Sequence, residues 1–298
     1  MMKLIVLFLS LTLFPLVLWG NCKNDRDDVV FEKYIDGIRY SLNWSQRRAT
    51  VTGGGSGPDL FIPSKVSTGQ DSFEVIYTVT RIGKGAFSSR ADLSSINIPN
   101  SVDYIGDGAF SGCSNLVSVK IPNTISAFND NLFYGCTSLT SVEIPNSVQS
   151  MGKYVFRGCS NLLSITIPDG VEEICEGTFW DCSNLKSVQI PNSVIAVGRM
   201  AFYRCSGLIS IRMPNGVKSM GDRVFEGCTS LVSVGLGERI SDIPFQTFYG
   251  CSTLDSVNIP KGVMRIESKA FYNCYGLSSI TIPNSVTSMG DYVFANCI

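Results

Sequence analysis

A proline returns every 23 residues through most of this chain: Pro99, Pro122, Pro145, Pro168, Pro191 and Pro214, then, after one missed beat at Gly237, Pro260 and Pro283. A fixed period of this length constrains the fold more than any other feature. It marks an array whose units each have one apolar side that cannot be buried alone, so that stacking the units makes one continuous core. Such an array lengthens by adding units, and the 298 residues therefore need not divide into two conventional domains.

Aligned on that period, the chain resolves into columns. Phenylalanine fills one column ten times, at Phe87, Phe110, Phe133, Phe156, Phe179, Phe202, Phe225, Phe248, Phe271 and Phe294. Three residues later cysteine follows nine times, from Cys113 to Cys297, with Arg90 in the first unit. Leucine comes three residues after that, from Leu93 to Leu277. Apolar and polar residues then alternate, as in Val119-Lys120-Ile121, which predicts a short strand with one buried face. Proline ends the strand because it has no N–H for a ladder, and Pro-Asn turns the chain. A second apolar pair follows, such as Val148 with Met151 or Val194 with Val197. Gly152, Gly198 and Gly221 come just after it, where backbone freedom would permit a tight turn. The phenylalanine is then expected to turn inward on a single helical turn. Strands of successive units would lie parallel, ~4.8 Å apart, so that about ten units span ~48 Å.

The pattern CSNLxSVxIPxSVxxIGxxAFxGC resembles the BspA-like leucine-rich repeat family, found in surface proteins of bacteria and some protozoa. The resemblance runs from Thr80 to the C-terminus. Before it, "DGIRYSL", "RATVTGG" and "LFIPSKV" resemble the N-terminal cap that such proteins often carry. Their alternation reads as short antiparallel strands, which would shield the first unit's edge from other chains. The expected fold is a leucine-rich repeat solenoid: a parallel β-sheet on one side, short turns and helical turns on the other, and a small antiparallel β cap at the N-terminus. The expected organisation is a signal peptide over 1–21, a lipoprotein linker and β-rich cap over 22–79, and about ten 23-residue units over 80–298, the last incomplete.

At the N-terminus Lys3 precedes an apolar run from Leu4 to Trp19, interrupted by Ser10, Thr12 and Pro15. A short positive region and an apolar stretch of this length read as a secretory signal; a membrane span usually needs ~20 apolar residues. Cys22, in "LWGNCKNDRDD", resembles the cleavage site of a bacterial lipoprotein, in which the cysteine is lipidated. The acidic "KNDRDD" resembles the surface-export tag of Bacteroidetes lipoproteins. Asn21 and Trp19 depart from the small residues usual there, and ordinary cleavage beside an incidental cysteine is the alternative.

The chain has no histidine, and so neither a Ser-His-Asp nor a Cys-His site can be built from it. Net charge is −1, with no long run of one sign, which argues against a nucleic-acid footprint. The cysteine column suits a tight inner corner. Side chains one unit apart point alike and not toward one another, and no CxxC cluster offers a metal site. Cys175 replaces a turn glycine and takes no assigned role. A complete serine column, Ser95 to Ser279, lies on the open strand face as scaffold. Glu172, Glu173 and Glu176 are the densest acidic group, with no carboxylate recognisably opposite. No catalytic residue, metal or cofactor is expected.

Function is sought where the columns stop agreeing. The open-face position between the two buried strand residues reads Asn97, Lys120, Glu143, Thr166, Gln189, Arg212, Gly235, Asn258 and Thr281. It is either a solvated surface or a ligand-reading concave face of the kind repeat proteins use. The residue after each phenylalanine varies too, with Tyr134, Trp180, Tyr203, Tyr249 and Tyr272 among Ser111, Arg157, Glu226 and Ala295. Aromatic side chains of this kind serve protein or sugar contacts, or pack over turns. One unit, "VGLGERISDIPFQTF", is irregular, with Gly235, Gly237 and Pro244. The resemblance implies an exported protein, at the cell surface or in the outer membrane as a lipoprotein, that adheres to extracellular or host-matrix proteins. A glycan-binding accessory protein is the alternative. The candidate binding residues are Lys120, Glu143, Gln189, Arg212 and Asn258 with Tyr134, Trp180, Tyr203, Tyr249 and Tyr272. Nucleic acid is not an expected partner, and a membrane only through a lipid on Cys22.

Overall fold

Two ladders of very short strands run the length of the repeat. The computed structural model describes residues 30–69 and 74–297. The apolar leader and Cys22 lie outside the described residues. The first ladder is built from the three-residue segments Ser95–Asn97, Ser118–Lys120, Ser141–Glu143, Ser164–Thr166, Ser187–Gln189, Ser210–Arg212, Ser233–Gly235 and Ser256–Asn258. Neighbours are parallel and in register, Val119 beside Val142 and Ile211 beside Val234. In each the central β-branched residue is buried, and from Ser118–Lys120 onward its two neighbours are exposed, as a period of two requires. The second ladder pairs two-residue segments such as Ala127–Phe128 with Ser150–Met151. Between the ladders the proline carbonyl closes a turn: Val102 N–H donates to Pro99 and Ile125 N–H to Pro122.

The third side of each coil carries the phenylalanine, and here the expected helical turn does not form. There is no helix among the described residues. Two left-handed residues, four apart, flank every phenylalanine and break any helical run. Around Phe110 they are Gly108 (φ 57°) and Gly112 (φ 74°); around Phe202 they are Met200 (φ 54°) and Arg204 (φ 55°). Backbone N–H groups alternate in direction as a result. Gly108, Phe110 and Gly112 donate to the next rung, at Asp130, Leu132 and Tyr134, while Ser111 and Cys113 donate three residues back. The turn is thus a third ladder, and it holds the phenylalanines in register.

That register stacks their rings. From Phe87 to Phe294 adjacent rings in the column lie 5.1–5.8 Å apart, within 17° of parallel. Phe87 to Phe271 are essentially without solvent exposure. Each cysteine of the column from Cys113 to Cys297 sits beside this stack, its Sγ–H donating to the phenylalanine carbonyl one rung back, as Cys136 does to Phe110 at 3.1 Å. The cysteines among the described residues are unbridged. Gly152, Gly198 and Gly221 are not needed for a special turn, since none has a left-handed φ. They are glycine because the rung before passes too close: a Cβ on Gly198 would lie 2.5 Å from the Glu176 nitrogen.

The cap is joined to the array without a linker. Strands β1 (Val30–Ile35), β2 (Ile38–Asn43), β3 (Arg48–Gly54), β5 (Lys65–Ser67) and β6 (Ile76–Ile82) form a sheet in the order β1-β2-β3-β6-β5. It is antiparallel except between β3 and β6, which run parallel. The end of β6 starts the second ladder by pairing with Tyr104–Ile105. Strand β4 (Asp59–Phe61) starts the first, with Leu60 beside Ile96. "LFIPSKV" is therefore a rung in itself. Arg90 fastens this junction from the cysteine column. Its guanidinium donates to the carbonyls of Gly54, Gly55 and Gly57 at 2.8–3.2 Å and holds Asp92 bidentately at 2.7 and 2.9 Å.

Candidate binding surfaces

On the first ladder, alternation that buries the valine or isoleucine must expose the serine before it and the variable residue after it. The register then aligns the variable residues into one column. Asn97, Lys120 and Glu143 are direct neighbours, as are Thr166 and Gln189, and Arg212, Gly235 and Asn258. All of them are exposed, the five candidates Lys120, Glu143, Gln189, Arg212 and Asn258 included. Thr166 Oγ1 donates to Gln189 Oε1 at 3.2 Å, so part of the face is internally hydrogen-bonded.

The sequence reading missed the apolar component of this face. Phe61 heads the same column, in register with Asn97, and is 65% exposed. From Ser118 to Ser256 the residue just before each serine is exposed too, and in four rungs it is a large aliphatic: Val117, Leu163, Ile209 and Val232. Strand alternation taken alone would bury these, since each lies two residues before a buried strand centre. The signal that separates them is their own column, in which Thr140, Lys186 and Asp255 occupy equivalent places.

The aromatic column on the phenylalanine turn is arranged differently. Its residues pack along the stacking axis, against one another. Arg157 lies 3.8 Å over Trp180 and 5.4 Å from Tyr134. Tyr203 meets Trp180 edge-on at 5.0 Å, and Tyr249 stacks on Tyr272 at 5.1 Å with planes 3° apart. Tyr134 is 38% exposed, and Trp180, Tyr203, Tyr249 and Tyr272 are half-buried. Glu226 sits in this column between Tyr203 and Tyr249. Burial raises its carboxyl above the usual range, against the opposing pull of Arg223 and Arg204. Its Oε2 has no hydrogen bond and lies 3.6 Å from Arg223 Nε.

The acidic group singled out in the sequence does not converge. Glu172 and Glu173 are exposed, while Glu176 is held between Lys153 (3.2 Å) and Arg199 (3.9 Å). A hydrogen bond with Tyr154, and then Lys153 and Arg199, keep the Glu176 carboxyl below its usual range. The column thiols are pushed the other way by burial, Cys113 to about 11 and Cys274 to about 12. A thiol so disfavoured as thiolate is a poor nucleophile or metal ligand. Among the described residues no cluster of acidic or cysteine side chains could hold a metal ion.

A parallel β-solenoid of leucine-containing rungs, with a β cap continuous with its first coils and an exposed, variable column along its first ladder, defines a class of repeat protein. Residues 80–208 and 172–298 match the model of the BspA type leucine rich repeat region, and the chain belongs to that family. The solved structures it resembles include a leucine rich cell surface protein from Faecalibacterium prausnitzii A2-165, 26% identical, covering 91% of this chain and 94% of that one with a TM-score of 0.54. Another is the leucine rich repeat protein of T. pallidum, 28% identical, covering 67% of this chain and 91% of that one with a TM-score of 0.58. No curated protein matches the chain.

Proposed function

We propose that this is an exported, non-catalytic binding protein whose open strand face takes a protein ligand. One observation carries the reading. On a scaffold whose buried columns repeat from rung to rung, this face combines variable charged residues with the large exposed apolar ones Phe61, Val117, Leu163, Ile209 and Val232, where the second ladder's exposed positions carry Tyr104, Ile195 and Met264. Packing explains the repeated columns and makes no demand on these. Nine strands at ~4.8 Å give a face ~40 Å long, and a strand with its flanking residue is ~15 Å wide. With side-chain relief that approaches the ~800 Å² per partner of a standard interface. Export is supported by the similarity to a cell surface protein. A lipid on Cys22 would supply the anchor, and Cys22→Ser would then release the protein from membranes in a detergent partition.

The glycan reading asks aromatic faces to lie open to a sugar ring. Here Arg157 covers one face of Trp180, Tyr203 abuts it, and Tyr249 and Tyr272 cover each other. That weighs the choice toward the open strand face. The test is a binding screen against extracellular-matrix proteins and glycans, repeated with Lys120, Glu143, Gln189 and Arg212 all changed to alanine. The variant should fold normally and lose the partner. Retained binding that is instead lost on changing Tyr134, Trp180, Tyr203 and Tyr249 would move the site to the aromatic side.

A further inference from the structure

The open face is interrupted at one place. Gly235 stands where the neighbouring rungs carry longer polar residues, in register with Arg212 on one side and Asn258 on the other. Gly235 lies in a shallow open depression of about 540 Å³ that runs along the face from Ser187 to Asn258, with Arg212, Asn215, Glu238 and Asn258 among the residues around it. The Arg212 stem passes beside Gly235: a Cβ placed on Gly235 would come within 3.3 Å of Arg212 Cγ. Gly235 has no left-handed φ, so its backbone makes no demand for glycine; the arginine stem uses the space.

The Arg212 guanidinium has no ion pair, hydrogen bond or aromatic partner among the described residues, unlike Arg90, Arg199, Arg223 and Arg265. Other charges stand around the rim. Glu238 is one, with Arg239 next to it and Lys261 one rung along its column; Asp255 and Lys186 precede the strands on the opposite edge. Arg212 is the charged residue whose stem borders Gly235. A guanidinium presents a planar fork of donors that matches a carboxylate bidentately, and Asn258 offers an amide donor on the far side. Just before Ser210 and Ser233 lie the exposed Ile209 and Val232. They would take an aliphatic neighbour of the acid.

We propose that this notch receives an aspartate or glutamate side chain from an extended segment of the protein partner, with Arg212 as its clamp and Gly235 as its clearance. The proposal rests on the protein-binding reading above and specifies its chemistry.

The test uses a randomised seven-residue linear peptide library panned on the wild-type protein and on two variants. Arg212→Gln removes the charge. Gly235→Thr closes the gap beside the Arg212 stem with a residue the same column already carries at Thr166, so the fold is expected to be kept; circular dichroism checks this. The expected result is enrichment of Asp or Glu beside an aliphatic residue on the wild type. Affinity of the selected peptides should fall at least tenfold with each variant. Absence of acidic enrichment on the wild type, or selected peptides bound equally by Gly235→Thr, would overturn the notch. If those same peptides are still lost when Lys120, Glu143 and Gln189 are changed to alanine, the open-face reading survives the notch. Peptides indifferent to every open-face change would sink both. An oligogalacturonate probe that binds in an Arg212-dependent way, where no peptide does, would also overturn it in favour of an acidic sugar.

Discussion

Phe179→Ala tests the stacked column at its middle. The ring is fully buried between Phe156 at 5.6 Å and Phe202 at 5.3 Å, with planes 4° and 11° from parallel. Removing it forfeits the transfer free energy of a whole ring and leaves a cavity that two rungs line. Backbone bonds to both neighbours hold those rungs apart: Phe156 N–H to Thr178, Phe179 N–H to Ala201. Collapse into the space is therefore limited, and the loss should fall in the ~3–5 kcal/mol range of buried aromatic truncations. Phe294→Ala is the internal control. Phe294 is only partly buried and has Phe271, at 5.4 Å, as its ring partner, so its loss should be about half as large. Thr166→Ala on the open face should cost well under ~1 kcal/mol. Urea unfolding followed by circular dichroism measures all three. Equal losses at Phe179 and Thr166 would mean that the buried and open faces are exchanged. Equal losses at Phe179 and Phe294 would refute the contribution of stacking to the difference.

Other outcomes follow from the same geometry. Under native alkylation at pH 8, Cys136 through Cys251 of the cysteine column should stay unmodified until denaturant is added, since burial raises every one of these thiols; mass analysis reads the labels, and any bridged pair contradicts the column. Glu226→Gln should raise the melting temperature at pH 7 and leave it little changed near pH 4. Burial raises the folded carboxyl, so the wild type holds its full contribution below the unfolded value and loses it as pH rises through the folded one. A larger gain at low pH would reverse the assignment. Arg90→Cys restores the residue of the other rungs yet removes the bonds to Gly54, Gly55 and Gly57; it should cost ~2 kcal/mol and raise amide exchange in the cap before the array.

The period made the rungs legible because packing requires each one to match the next, and packing writes itself into sequence. The column order, the strand at Ser-Val-x and the cysteine corner could all be read that way. The phenylalanine turn could not. Its left-handed positions are glycine in some rungs, but Tyr154, Met200, Arg223, Gln246, Lys269 and Tyr292 in others. Ladder bonds from neighbouring rungs hold these residues where their own preference would not, so the local sequence resembles a helical turn. The rung at "LFIPSKV" was hidden by an insertion: Pro63 lies 36 residues before Pro99 instead of 23. The variable column was legible as variable and was placed on the correct face. Its apolar flank was not, because alternation assigns burial from the strand, and Val117 or Ile209 lies just outside the strand where the corner turns.

The bond from each cysteine Sγ–H to the preceding phenylalanine carbonyl has a consequence for how such a gene changes length. From Cys113 to Cys297 every rung offers its neighbour the same ring, the same carbonyl and the same thiol. Loss or duplication of 69 nucleotides anywhere in this stretch would join two surfaces that already fit, and the seam would look like every other. Recombination between repeats can thus slide the charged and apolar residues of the open face past one another, one rung at a time, while leaving the interior unaware of the change.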